Sequence, residues 1–277
     1  MKSGLIFFMV IFVLVVWACS NNKPKANKTD TTKVITHPNN GPDTIVIKKD
    51  TIAFTYHLIA RESPKNKKNK DGGSVTINIK YPVFIGQPVL NRLIQDTLIS
   101  LSPGGNSLTQ VARIFLSTYK GQLDPERPQD FSLELSATEL DQAPGLITIA
   151  IIASAATGGV HPNYATYYIN WNVKKGEEFS LDDLLVKDYS DKLNAIAEKI
   201  FRKDQQIARD SSLEAYHFEN GIFALNDNFL ITPKGLNFSY NPYEITAYMQ
   251  GAPSVFIPYP SIKKLLRPNT VISQYIK

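Results

Sequence analysis

The sequence predicts an α+β fold, with antiparallel sheets and pairs of helices packed on one face. Segments that alternate apolar and polar residues come in blocks joined by short turns, which is typical of antiparallel strands. Segments with helical spacing of apolar residues stand between those blocks instead of alternating with single strands, so a parallel βαβ fold is not indicated. A content of 43% hydrophobic and 20% charged residues is ordinary for a globular protein.

The first block is a predicted hairpin. Residues 52–60 and 75–81 each alternate with a period of two, so each forms a half-buried strand. The connecting segment "SPKNKKNKDGG" holds turn residues and a run of lysines, which indicates a solvated hairpin tip.

Two helices follow this hairpin. Apolar residues recur at helical spacing from residue 88 and again after residue 107, and Pro88 suits a first helical turn. "SPGGN" ends the first helix, and Gly121 with "DPERP" ends the second. The predicted apolar stripes are Leu90, Leu93, Ile94 and Leu98 in one helix, and Leu108, Val111, Phe115 and Tyr119 in the other.

Three strands then form a predicted meander over residues 131–137, 146–155 and 164–173. "LITIAIIASA" is apolar at successive positions, so the middle strand is expected to be covered on both faces. "TGGVHP" connects the second and third strands. The last of these strands places Tyr164 and Tyr168 on its more polar face.

The C-terminal part mixes short helices with another hairpin. Ser180 and Asp183 have the spacing of a capping box, and a longer helix is predicted from Ser190. A hairpin follows over 229–240 with its turn at 232–235. Next come an aromatic loop at 241–254, a last strand "VFIPY" and a short helix at 261–266.

The N-terminus has the features of a bacterial lipoprotein signal. A single lysine precedes the apolar run 5–18, which is shorter than the roughly 20 residues that span a bilayer. "VWAC" resembles a lipobox, which implies cleavage after residue 18 and attachment of an acyl lipid such as palmitate to Cys19. An ordinary signal peptide with a chance cysteine is the alternative. Residues 19–50, rich in Asn, Lys, Thr and Pro, are expected to form a flexible tether.

Several function classes are disfavoured by the sequence. Cys19 is the only cysteine, so no disulfide within the chain and no multi-cysteine zinc site can form. The histidines lack metal-ligand spacing, so neither a metal nor a cofactor is predicted. The net charge of +5 comes with no nucleic-acid recognition motif.

Two motifs carry a family resemblance: "GGVHPN" at 158–163 and "NPYEITAYMQGAPSVFIPY" at 241–259. Residues 158–267 resemble the extracellular domain of the anti-sigma factor RsiV. Residues 45–150 resemble a companion domain found ahead of some peptidoglycan deacetylase domains. The expected organisation is therefore a signal peptide at 1–18, a tether at 19–50, and two α+β halves at 51–156 and 157–277.

The resemblance implies a binding body, because the RsiV domain binds lysozyme. It does not imply the deacetylase activity, since no such domain follows in this sequence. The candidate ligand-binding residues are the following: His161, Asn163, Tyr164, Tyr168, Tyr243, Glu244 and Tyr248. Their alternative roles are structural, with the histidine shaping a bend and the rings folding back on the sheet.

We therefore expect a non-enzymatic, lipid-anchored protein of the cell envelope, on the periplasmic face of the outer membrane. Its expected partners are the membrane, through the lipid, and lysozyme, another protein or a cell-wall glycan. An envelope polysaccharide-modifying enzyme, using His161 and a nearby carboxylate, is one alternative. A purely structural envelope component is another.

Overall fold

The computed structural model describes residues 33–36, 44–47, 51–63, 73–123 and 129–276. Cys19, the signal segment and the lysine run lie outside them. The strands are β1 Lys33–Thr36, β2 Thr44–Ile47, β3 Phe54–Glu62, β4 Val75–Phe84, β5 Phe131–Ala143, β6 Leu146–Ala156, β7 Asn163–Asn172, β8 Glu177–Glu178, β9 Phe229–Ile231, β10 Gly235–Ser239 and β11 Ser254–Pro258. The helices are α1 Pro88–Ser100, α2 Leu108–Lys120, α3 Leu181–Leu184 and α4 Ser190–Asp204.

The predicted α+β class is confirmed. Strands β1 to β8 form one sheet in sequence order, and β9 to β11 form a second sheet in the order β11-β10-β9. Neighbouring strands are antiparallel except for β4 and β5, which are parallel. The parallel pair departs from the expected antiparallel sheet because α1 and α2 lie between these strands and return the chain to the same end.

Strands β1 and β2 fall inside the segment expected to be a flexible tether. They pair with each other, and β2 pairs with β3 through Ile45 opposite Thr55 and Val46 opposite Phe54. The tether prediction is therefore wrong for these two stretches. Their sequences, "KVIT" and "TIVI", are rich in β-branched residues that favour extended backbone, and the polar composition around them obscured this signal.

The first core lies between the large sheet and the helices α1 and α2. Ser107 caps α2 by accepting a hydrogen bond from the Gln110 backbone N at 3.2 Å. The stripe residues that are fully or nearly fully buried are Leu90, Ile94, Leu98, Leu108, Val111 and Phe115. Trp171 of β7 packs in this core and donates its indole N–H to Gln87 Oε1 at 3.1 Å.

Strand β6 is buried on both faces only along its first half. Residues 146–150 are all buried, as the apolar run predicts, whereas Ile152 is 45% exposed. One face belongs to the first core, and Leu146 on the other face packs in a second core. This second core holds α3, α4 and the small sheet, together with 3₁₀ helices at Tyr259–Leu265 and Val271–Tyr275.

The predicted capping box forms at the start of α3. The Ser180 backbone N donates to Asp183 Oδ2 at 3.0 Å, and Lys175 Nζ lies 3.0 Å from Asp183 Oδ1. Burial alone raises the pKa of Asp183, but these hydrogen bonds outweigh it and lower that pKa. Of the helices in the described ranges, none has the length and apolar character of a membrane span.

Asparagine side chains join the two sheets. Asn170 on β7 is 1% exposed, donates to Phe229 O at 2.7 Å and accepts from the Ile231 N–H at 2.8 Å. Asn228 does the reverse for β7, accepting from the Tyr168 N–H at 3.1 Å and donating to Thr166 O at 2.8 Å. Each amide thus replaces a strand partner at an edge where the strands do not pair directly.

Replacing Asn170 with leucine is expected to lower the free energy of unfolding by about 2–4 kcal/mol. The substitution keeps a similar volume but leaves a buried carbonyl and a buried N–H of β9 without partners. Urea unfolding measures the change, with Asn106→Ala at an exposed position before α2 as the control, expected within about 0.5 kcal/mol of the parent. A loss below about 1 kcal/mol for Asn170→Leu would contradict the role given to this amide.

Candidate binding surface

The β6–β7 hairpin tip and the loop at residues 241–251 meet through aromatic rings. The His161 ring stacks on Tyr248 with centroids 3.5 Å apart and planes inclined by 9°. Tyr243 places its hydroxyl 3.4 Å from His161 Nε2, and Tyr248 donates its hydroxyl hydrogen to Pro162 O at 3.1 Å. The two motifs that are 80 residues apart in sequence therefore form one site.

Backbone conformation fixes both sides of this contact. Gly158 has φ +98°, and an added Cβ would lie 3.1 Å from Gln129 Nε2, so glycine is required at the bend. Tyr243 has φ +66°, which is uncommon for a residue with a side chain. The turn around it is closed by the Glu244 N–H, which donates to Asn241 O at 3.1 Å.

Glu244 holds the loop together instead of standing free. Its Oε2 accepts from the Asn241 N–H at 2.7 Å, and its Oε1 accepts from Asn226 Nδ2 at 2.7 Å. Asn241 in turn accepts from the Thr166 N–H of β7 at 2.7 Å. Both carboxylate oxygens are thus used to shape the loop and to hold it against Asn226, while Asn241 fixes it against β7.

Large apolar side chains surround the ring stack and are open to solvent. Met249 is 98% exposed, Tyr243 is 55% exposed, and Val160 is fully exposed. We call the set Val160, His161, Tyr243, Tyr248 and Met249 the aromatic platform. Val160 and Met249 were not among the residues predicted from the sequence. They could have been recognised as apolar residues within turns that carry Gly and Pro.

A groove lies beside the aromatic platform, between β7 and the small sheet. Tyr164 connects the two, because its ring meets the Tyr248 ring edge-on at 5.9 Å. The groove has a volume of about 240 Å³. Its lining residues are Tyr164, Thr166, Tyr168, Asn237, Ser239, Tyr240, Asn241, Ala252 and Ser254, and we call it the inter-sheet groove.

The remaining candidate residues lie apart from the ring stack. Tyr168 lines the inter-sheet groove, where its hydroxyl oxygen accepts from Ser239 Oγ at 3.4 Å. Asn163 begins β7 opposite Ala155 and is exposed. Buried Tyr240 donates to Ala224 O at 2.6 Å; its burial, with the Glu244 charge, raises the pKa of Tyr240.

The surroundings of His161 favour ring contacts over proton transfer. In the described part of the chain its ring contacts Tyr243 and Tyr248, and its Nδ1 is buried without a hydrogen-bond partner. His57 lies elsewhere, beside Tyr81 on the large sheet. Across the described ranges no group of three or more His, Cys, Asp or Glu residues could hold a metal ion.

Residues 182–260 match a family described as "Protein of unknown function (DUF3298)". A DUF3298 family protein from Pseudomonas aeruginosa PAO1 has a similar crystal structure, with 22% identity, 79% of this chain and 96% of that chain covered, and a TM-score of 0.62. A DUF3298 family member from Bacteroides fragilis NCTC 9343 has 22% identity, 82% and 99% coverage, and a TM-score of 0.63. The comparison with curated proteins finds no match.

These similarities establish the fold. The matched segment contains Tyr243, Glu244 and Tyr248 from the loop, and it begins after His161 and Tyr164 of the hairpin. The loop that contributes to the platform therefore lies within the matched segment, whereas the hairpin tip lies before it. Both solved structures match over about four fifths of this chain, so the shared fold extends beyond the DUF3298 segment.

Replacing Tyr248 with leucine is expected to release the hairpin tip, because the stack on His161 and the bond to Pro162 O are both lost. Each such contact contributes about 1 kcal/mol. Amide exchange over residues 158–163 should accelerate, and the ring-current shift of the His161 ring protons should disappear. Tyr248→Phe keeps the stack and should retain that ring-current shift; its loss in both variants, or its survival in the leucine variant, would contradict the assigned contact.

Proposed function

We propose that this chain is a lipid-anchored binding protein of the bacterial cell envelope that holds an extracellular macromolecule without changing it chemically. The single observation that carries the proposal is the aromatic platform, where exposed apolar side chains adjoin a ring stack that joins two loops. The candidate ligands are lysozyme, another protein or a cell-wall glycan. The resemblance of residues 158–267 to the RsiV domain supports lysozyme as the first ligand to test.

The platform has the physical properties of a recognition surface. Tyrosine and methionine are enriched at protein interfaces, where they supply contact area, while charged residues are depleted. The stack of His161 on Tyr248 and the turn around Tyr243 are already formed in the unbound chain. Little side-chain entropy is therefore lost by these rings on binding, which increases the affinity that their contact area provides.

The N-terminal sequence supports the proposed location. The signal segment at 1–18 and the lipobox ending at Cys19 support export and acylation. The residues after Cys19 carry no acidic cluster, which favours the periplasmic face of the outer membrane over surface export. Such an anchor would keep the platform near envelope polymers and near lysozyme that enters the envelope.

The proposal of binding without catalysis rests on the partners of the candidate groups. A general base needs a nucleophile or an orienting carboxylate within hydrogen-bond reach. In the described part of the chain, His161 contacts tyrosines, and both oxygens of Glu244 accept hydrogen bonds from asparagines, one within the loop and one from Asn226. This arrangement favours ring stacking and hydrogen bonding with a ligand.

The double variant Tyr243→Asn/Met249→Ser tests the platform. Asparagine tolerates the positive φ at position 243, so the loop should keep its shape while the contact area is lost. Affinity for purified lysozyme or for peptidoglycan should fall about 30-fold or more, as expected for interface hot spots. Isothermal titration calorimetry with lysozyme and a pull-down with insoluble peptidoglycan measure it.

Ile85→Ser is the matched control, because Ile85 is 64% exposed and lies near the Trp171 end of the large sheet. It should leave binding unchanged. Failure of the parent protein to bind either ligand would remove these ligands from the proposal. Release of soluble fragments from peptidoglycan, abolished in His161→Ala, would replace it with the enzymatic alternative.

A further inference from the structure

We propose that the inter-sheet groove binds a neutral saccharide. This inference deepens the proposed function, on which it rests for an envelope ligand, because the groove adjoins the aromatic platform through Tyr164. It narrows the ligand chemistry from any macromolecule to one that presents uncharged hydroxyl groups and an apolar ring face.

The lining of the groove carries hydrogen-bonding groups without net charge. Hydroxyl and amide groups predominate, and none of the nine lining residues is charged. Amide and hydroxyl groups are supplied by Thr166, Tyr168, Asn237, Ser239, Asn241 and Ser254. Such groups match the donor and acceptor pattern of sugar hydroxyls, whereas a phosphate or sulfate ligand would require Lys, Arg or a helix N-terminus.

Several of these groups have unused hydrogen-bonding capacity. Among the described residues, no side-chain hydrogen bond involves Thr166 Oγ1 or Ser254 Oγ, and Asn241 Nδ2 has no acceptor. Tyr168 accepts from Ser239 at 3.4 Å and keeps its own hydroxyl hydrogen to donate. A bound ligand with hydroxyl groups would satisfy these donors and acceptors together.

An aromatic face stands at the end of the groove. Tyr164 is 36% exposed, lines the groove and leans edge-on against Tyr248. Sugar rings carry C–H groups on one face, which pack against an aromatic ring while the ring's hydroxyls remain available at the edge. The combination of a ring and uncharged polar groups therefore fits a saccharide better than a peptide side chain.

The size and rigidity of the groove fit one or two sugar units. Its volume of about 240 Å³ is below the roughly 300–1,000 Å³ typical of pockets for drug-sized ligands. Its walls are fixed relative to each other by the Asn228 and Asn241 bonds to β7. A longer glycan would continue from the groove across Tyr164 and onto the aromatic platform.

The test uses the full-length protein in a detergent that contains no sugar. Chitobiose and maltose, which match the length of the groove, are the neutral probes, and a sulfated heparin disaccharide is the charged probe. Saturation-transfer NMR detects contact, and titration followed by amide chemical shifts gives the affinity. We expect saturable binding of at least one neutral probe, with contacts from Tyr164, and weaker or no binding of the sulfated probe.

The double variant Thr166→Val/Ser254→Ala removes two free hydroxyls and keeps the shapes of both side chains. The backbone bonds of Thr166 to Asn228 and Asn241 remain, so the groove itself should persist. Affinity for the neutral probe should fall about 10-fold, as expected for two lost hydrogen bonds. The matched control is Thr138→Val/Ser132→Ala on β5, which should have no effect.

Failure of both neutral probes to bind, tighter binding of the sulfated probe, or equal affinity in the groove variant would overturn the inference. The Tyr243→Asn/Met249→Ser variant separates it from the proposed function, because neither residue lines the groove and disaccharide binding there should survive. If the neutral probes bind while lysozyme and peptidoglycan do not, the groove assignment stands and the macromolecular function fails. If lysozyme or peptidoglycan binds while the neutral probes do not, the groove assignment fails and the proposed function stands.

Discussion

The exposed surface of this protein depends on the asparagine side chains that join its two sheets. Asn170 supplies a donor and an acceptor to β9, and Asn228 supplies both to β7. Because the strand edges meet without a backbone ladder, each unpaired N–H and C=O there would otherwise be buried at a cost of about 1–3 kcal/mol. Amide side chains satisfy these groups, so the second sheet packs against the first without continuing its backbone ladder.

This junction also explains why the groove and the platform lie together. A continuous ladder would bring the strands to about 4.8 Å and leave no space between them. Side chains that stand in for the ladder separate β7 from β10, and the separation is the inter-sheet groove. Asn241 extends the same mode of bonding into the aromatic loop, so the loop that carries Tyr243 and Tyr248 is fixed against β7.

Sequence patterns predict much of the fold because, within most helices and strands, apolar residues recur at one regular spacing. The stripes of α1 and α2, the meander and the capping box follow local rules and are confirmed. The stack of His161 on Tyr248 was not predicted, because it depends on how distant segments meet in the fold. The parallel β4–β5 pair escapes prediction because strand direction depends on the path of two intervening helices. Asn170 escapes it because an asparagine at a buried strand position has no local signature, and its partner is 59 residues away.

Side chains of β7 alternate between two faces, and one of these faces contributes to three different features of the structure. Ile169 and Trp171 point into the first core, while Asn170, Tyr168 and Tyr164 on the opposite face meet the second sheet, the groove and the platform in turn. A one-residue slip in register would exchange these faces, burying tyrosine hydroxyls in the first core and removing Asn170 from β9. The anchoring of Trp171 in the core therefore sets the position of every groove residue on this strand, and the shape of the exposed surface is specified by burial at its opposite end.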